Sequence, residues 1–194
     1  MKKLFAVAAF AVAAAIATPA FAALDVGAKA PEFSAKGMLA GKEFTFNLSD
    51  ALKKGPVVVY FFPAAYTAGC TAETKLFADN ADAFKAAGVT LIGVTGGARN
   101  PETNAMVSAS ENLELLQRFS AEHCRDKFPI ASVSLDTIKA YNVVLPAKPD
   151  WSDRTSYVIA PDGKILLSFT TQKPDEHITK TLEAVKAWKA EHKG

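Results

Sequence analysis

Apolar residues run without a break from Val57 to Phe62, a continuity that predicts a central strand buried on both faces. Pro63 ends that run. Small and polar residues then lead through Cys70 into Phe77, Ala81 and Phe84, whose spacing of four and three predicts a helix packed on the sheet. Gly88 stops the helix, and residues 89–94 predict a second buried strand, so the order strand, helix, strand describes a parallel crossover. One cysteine is thereby delivered to a helix start. Unpaired backbone N–H groups point outward there and favour a thiolate, so Cys70 is a candidate nucleophile.

Elsewhere the patterning is weaker but still directional. Residues 23–31 read as an irregular arm, and Phe33 with the alternation Phe44-Thr45-Phe46-Asn47-Leu48 predicts short strands at one end of the sheet, with turns at Gly37 and Gly41. Residues 48–52 form a helical turn. A helical pattern covers residues 104–123, weak at first and firmer from Glu111, and residues 128–133 predict a third strand with Pro129 at an edge, a bulge or the strand's start. Asp136 is expected to cap a short helix to Tyr141, and residues 148–153 to form an exposed loop. Residues 156–160 and 165–169 flank Pro161-Asp162-Gly163-Lys164, a hairpin signal. Ile178, Leu182, Val185 and Trp188 place a last helix over one face of the sheet. The expected class is α/β, with a mixed sheet between helices.

The first residues do not fit this pattern. Lys2 and Lys3 precede an apolar stretch from Leu4 to Ile16, and Thr18-Pro19-Ala20-Phe21-Ala22 supplies a small-x-small site before Ala23. Residues 1–22 are expected to be a cleaved export signal, sending the chain across the inner membrane to the periplasm without stable membrane association. The stretch is shorter than the roughly 20 residues a membrane span needs. Residues 23–194 are then expected to form a single domain. The 22 basic and 20 acidic residues become 20 against 20 once Lys2 and Lys3 are gone, and no basic run accompanies an aromatic platform. Nucleic-acid binding has no support. In an oxidising compartment, Cys70 and Cys124 are open to three readings: a structural disulfide, a catalytic pair or two unrelated sites. The histidines His123, His177 and His192 show no metal-ligand spacing, so no metal is expected.

Pro63, Thr67 and Cys70, in the spacing proline, four, threonine, three, cysteine, resemble the active-site signature of the peroxiredoxins, and Thr71 and Glu73 extend the match. The stretch Arg154-Thr155-Ser156-Tyr157-Val158-Ile159-Ala160-Pro161-Asp162-Gly163-Lys164-Ile165 resembles the family's arginine-led hairpin. Within the family the chain resembles the bacterioferritin-comigratory or Q-type group, over roughly residues 26–188. The resemblance implies a thioredoxin-like fold and a thiol-dependent peroxidase that needs no metal or organic cofactor. It reduces hydrogen peroxide or small organic hydroperoxides through a sulfenic acid on Cys70. A thiol or thioredoxin-like protein is the implied reductant, and the chain is a monomer or homodimer. Dithiol exchange of the thioredoxin kind is not expected, because Cys70-Thr71-Ala72-Glu73 lacks a second cysteine.

Family use of these positions assigns Arg154 to thiolate stabilisation. Thr67 would accept from the peroxide and donate to Cys70, and Pro63 would close the pocket without a free N–H. Arg154→Ala is accordingly expected to slow peroxide attack more than it lowers folding stability. Glu73 is expected in the first helical turn rather than as a base. The position five residues after Cys70, where many relatives carry a resolving cysteine, is Lys75. Cys124 is therefore either the resolving thiol or an inert core cysteine in phase with Leu113. From another class, the alternative is a noncatalytic binding or structural protein with a fixed Cys70–Cys124 disulfide. Residues 96–113 form a longer segment than compact members of the group carry. Such a segment lengthens the Cys124 helix, forms a flap or contact surface, or is a remote insertion.

Overall fold

The computed structural model describes residues 23–192, so the expected export signal lies outside the described residues. Its strands and helices run β1 (Ser34–Leu39), β2 (Lys42–Asn47), α1 (Leu48–Leu52), β3 (Val57–Phe61), β4 (Ala64–Ala65) and α2 (Ala68–Ala86). Then follow β5 (Thr90–Thr95), β6 (Gly97–Arg99), β7 (Met106–Ser108), α3 (Leu113–Phe119) and a π-helical turn at Ser120–Cys124. The chain continues through β8 (Ile130–Ser132), α4 (Leu135–Ala140), β9 (Val144–Leu145), β10 (Lys148–Ser152), β11 (Thr155–Ile159), β12 (Ile165–Thr170) and α5 (Pro174–Glu191).

Seven strands form the main sheet in the order β12-β11-β3-β5-β8-β1-β2. The central β3, β5 and β8 are parallel, and antiparallel neighbours flank them on both sides. This is the mixed sheet of a thioredoxin-like fold. Alternation along β3 divides the apolar side chains between two cores: Val58, Tyr60 and Phe62 face α2, α3 and α5, whereas Val57, Val59 and Phe61 face α1 and α4. Each such side chain contributes about 1.5–3 kcal/mol by leaving water. Close approach at the sheet centre requires a glycine, since a Cβ on Gly93 would lie 2.5 Å from the Tyr60 ring.

Helix α2 ends as the sequence implies. Gly88 (φ 74) donates to the Lys85 carbonyl and Val89 to that of Phe84, the paired bonds of a Schellman motif. Pro129 sits just before β8, where its carbonyl accepts from Gly93 at 3.1 Å.

Four local expectations need correction. Gly37 does not mark a turn but lies inside β1 opposite Phe44, where a Cβ would meet the Phe44 ring, and the turn falls at Gly41 (φ 72). Residues 104–110 are not helical: β6 and β7 form a hairpin whose turn is closed by Asn100 Oδ1 accepting from the Glu102 and Thr103 amides. Small polar residues there favour such side-chain turns over a helix, which begins only at Leu113. Ser134, not Asp136, caps α4, accepting from the Thr137 amide at 3.2 Å and leaving Asp136 in the first turn, where its charge suits the helix dipole. Residues 148–152 form a strand paired with β9 rather than a loop.

Candidate active site

Six residues of extended and turning chain, 62–67, connect β3 to α2, and their anchoring determines where Cys70 stands. β4 in this connection pairs in parallel with β6, so the hairpin built from residues 96–113 is bonded to the loop ahead of Cys70. Tyr66 takes a left-handed conformation (φ 62), packs edge-on against Phe119 and donates its hydroxyl to Glu122 at 3.0 Å. The loop is thus tied on one side to the longer segment and on the other to the helix that carries Cys124.

Thr67 caps α2 with extended backbone, and the first intrahelical bond runs from the Thr71 amide to the Thr67 carbonyl at 2.9 Å. Cys70 therefore lies in the first turn of a 19-residue helix, among N–H groups without intrahelical acceptors and at the positive end of the dipole. It is only 1% exposed. Arg154, from the junction between β10 and β11, places Nη2 3.5 Å from Cys70 Sγ, although 84 residues separate them. Its Nη1 pairs with Glu73 Oε2, so one buried guanidinium spans the sulfur and a carboxylate one turn further along α2. Burial opposes the charge on Arg154, but Glu73 and Cys70 outweigh it. Burial pushes the Glu73 carboxyl up to about 8 against the pull of Arg154.

Residues 26–168 match the AhpC/TSA family. The chain belongs to this family of peroxiredoxins. Peroxiredoxin Q of the Populus jackii chloroplast is 30% identical over 169 residues, spanning 86% of this chain and 70% of the relative. Peroxiredoxin Bcp of Bacillus subtilis is 26% identical over 164 residues, 84% of this chain and 96% of that one. Among solved structures, peroxidoxin BcpB of Mycobacterium tuberculosis superposes with a TM-score of 0.65 at 27% identity, covering 84% of this chain and 96% of its own. As a peroxiredoxin, the protein is a thiol-dependent peroxidase.

Within this peroxiredoxin, the four residues singled out from sequence fall into two groups. Cys70 and Arg154 are in direct contact. Pro63 and Thr67 lie on the partly exposed loop before the helix, with the Pro63 carbonyl accepting from Thr95 Oγ1 at 3.2 Å. The Thr67 hydroxyl donates to the Ala64 carbonyl at 2.9 Å rather than to Cys70, because the turn brings that carbonyl back over it; its lone pairs remain as acceptors.

Cys124 is fully buried in the apolar cluster that also contains Cys70. Both cysteines are free, which overturns the alternative of a fixed disulfide. Burial pushes the Cys124 thiol far above its ordinary range, outweighing the opposing effect of the nearby Ser120 hydroxyl, which donates to the Met38 carbonyl. His123, its neighbour, packs on Tyr66 and Phe119. Burial and Lys75 lower its proton affinity.

Sequence reasoning placed Glu73 in the first turn; it sits beyond it, as the buried partner of Arg154. The signal was present, since Glu73 is four residues before Phe77 and eight before Ala81, on the stripe that packs into the core. A carboxylate there requires a cation. His177, also fully buried, was passed over although it lies four and eight residues before Thr181 and Val185 on α5. Among the described residues no group of three His, Cys, Asp or Glu side chains is placed to hold a metal ion.

Proposed function

We propose that Cys70 is the attacking thiol of this peroxidase, acting on hydrogen peroxide or small organic hydroperoxides. The observation that carries the reading is the guanidinium of Arg154 at 3.5 Å from the Cys70 sulfur, at the open end of α2. The thiolate attacks one peroxide oxygen, an S–O bond forms as O–O breaks, and the departing oxygen takes a proton to leave as water or alcohol. Arg154 serves both the thiolate and the charge that moves onto the peroxide. Thr67, with its hydrogen turned to Ala64, offers lone pairs to the peroxide O–H, and Pro63 shields the sulfur on the open side. Stopped-flow mixing of the reduced protein with peroxide tests this; a reaction no faster than that of an ordinary free thiol would sink it.

Peroxiredoxins are in general recycled by thiol or thioredoxin systems. In this chain, the reading is that Cys124 attacks the Cys70 sulfenic acid, releasing water and forming an intramolecular disulfide that a thioredoxin-like protein then reduces. Features of the Cys124 segment support it. A π-helical turn carries the residue, and Arg125 and Asp126 follow with φ of 51 and 55, so the helix end is held in conformations that cost energy. Cys124→Ser is expected to keep the first oxidation at its wild-type rate and to lose steady-state turnover with a thioredoxin-like reductant by about tenfold or more. Unchanged turnover would assign resolution to an external thiol.

The same reading takes residues 1–22 as an export signal, with the mature chain a monomer or homodimer in the periplasm. No helix among the described residues is long and apolar enough to cross a membrane. Mass measurement of the protein from its native host, beginning at Ala23 if the reading is right and at the initiator if not, decides the point.

A further inference from the structure

Behind Arg154, away from Cys70, a second set of buried polar groups is only partly satisfied. Glu73 has given Oε2 to Arg154, and its Oε1 is buried without a hydrogen-bond partner. Facing that oxygen at 3.9 Å is Nδ1 of His177, from the first turns of α5. His177 is fully buried, and its other ring nitrogen, Nε2, lies 3.0 Å from the Thr171 carbonyl. A carbonyl only accepts, so Nε2 carries the hydrogen. In the neutral ring Nδ1 is then bare and accepts from the Ser156 hydroxyl at 2.8 Å.

That assignment leaves an acceptor facing an acceptor. The Glu73 oxygen presents a lone pair that no donor reaches, and the one lone pair of His177 Nδ1 is already turned to the Ser156 hydroxyl. One proton resolves the conflict, on Glu73 Oε1 or on His177 Nδ1, in which case Ser156 turns to accept. The proton is also a charge, and the Arg154 guanidinium is what stands between it and the sulfur. With it present, the Glu73–His177 pair is neutral and the Arg154 charge stands uncompensated; without it, the Glu73 carboxylate cancels that charge.

We propose that His177 is a positioning residue of the peroxide site: with Glu73 it encloses a shared proton position behind Arg154, whose occupancy sets how much of the guanidinium charge is directed at Cys70. The inference rests on the reading of Cys70 as the attacking thiol. Burial lowers the proton affinity of His177 while raising that of Glu73, so the carboxyl is the proton's main seat. The other ionisable groups around the pair do not supply that proton. From β3, Tyr60 stays a phenol, held far above its ordinary range by burial, and its hydroxyl is bonded to Thr74. Asp153 accepts from the Arg154 amide and from Gln172, and Glu176 on α5 pairs with Lys173 at 3.0 Å.

The test follows alkylation of Cys70 by iodoacetamide against pH in the reduced protein, read by peptide mass, beside the peroxide attack rate over the same range. His177→Gln keeps a donor for Thr171 but offers no titrating nitrogen. It is expected to move the Cys70 alkylation midpoint upward by about half a pH unit or more, and the alkaline inflection of the attack rate downward. In a Glu73→Gln background the same substitution should shift neither, because the proton position is already gone. An unchanged midpoint in His177→Gln, or an equal shift in both backgrounds, overturns the proposal. Thermal melts alongside separate these outcomes from misfolding. Should the wild type fail to react quickly with peroxide, the attacking-thiol reading falls, whereas the alkylation midpoints still decide the role of His177.

Discussion

Cys70→Ser will consume peroxide at the uncatalysed rate, a loss of roughly 10³-fold or more, while folding as the wild type does. Both cysteines are buried, so burial alone cannot nominate one. The difference is electrostatic. Cys70 sits in the first turn of α2 with Arg154 donating to its sulfur, whereas Cys124 lies in an apolar cluster, un-ionised, with the charge of Asp126 further opposing a thiolate. A serine at position 70 occupies nearly the same volume, and Arg154 retains Glu73, so the stability change should stay within about 1 kcal/mol. Stopped-flow peroxide consumption and a thermal melt measure the two effects. Persistence of the fast reaction in Cys70→Ser would move the chemistry to Cys124, the other free thiol among the described residues.

Much of this arrangement was legible because it depends on local signals. An unbroken apolar run marks β3, a spacing of three and four marks α2, and a proline-to-cysteine motif carries its own geometry. Even the contact across 84 residues was anticipated, though only through the family resemblance, since an arginine ahead of a hairpin by itself reads as an exposed side chain. What stayed hidden depends on partners that no local pattern names. Glu73 reads as an ordinary helical carboxylate until β11 brings Arg154 beside it. The segment 96–113 reads as a faltering helix because its small polar residues satisfy their backbone through side-chain turns, and only pairing with β4 makes it a strand. His177 lies on the buried face of α5, but it stands just ahead of Ile178, the first of the four apolar residues whose spacing marks that helix.

Arg154→Ala will slow peroxide attack by about 10²–10³-fold, equivalent to about 2.7–4 kcal/mol, as expected for losing a preorganised donor at the reacting centre. Sequence alone gives the smaller loss to stability, but the buried partner of Arg154 makes that loss large as well. Removing the guanidinium strands Glu73 in the core, at a cost of roughly 3 kcal/mol, the low end for a broken buried pair because Glu73 can take a proton. The two losses are then of similar size, and the single variant cannot separate electrostatics at Cys70 from damage to the core. Removing both ions can. In Arg154→Met with Glu73→Gln, neither side chain brings an unpaired charge, so the melting temperature should recover most of its loss while attack stays slow. Recovery of the attack rate together with stability would show that Arg154 serves only to neutralise Glu73. A rate that stays low in a refolded core would assign the guanidinium directly to the thiolate and the departing oxygen.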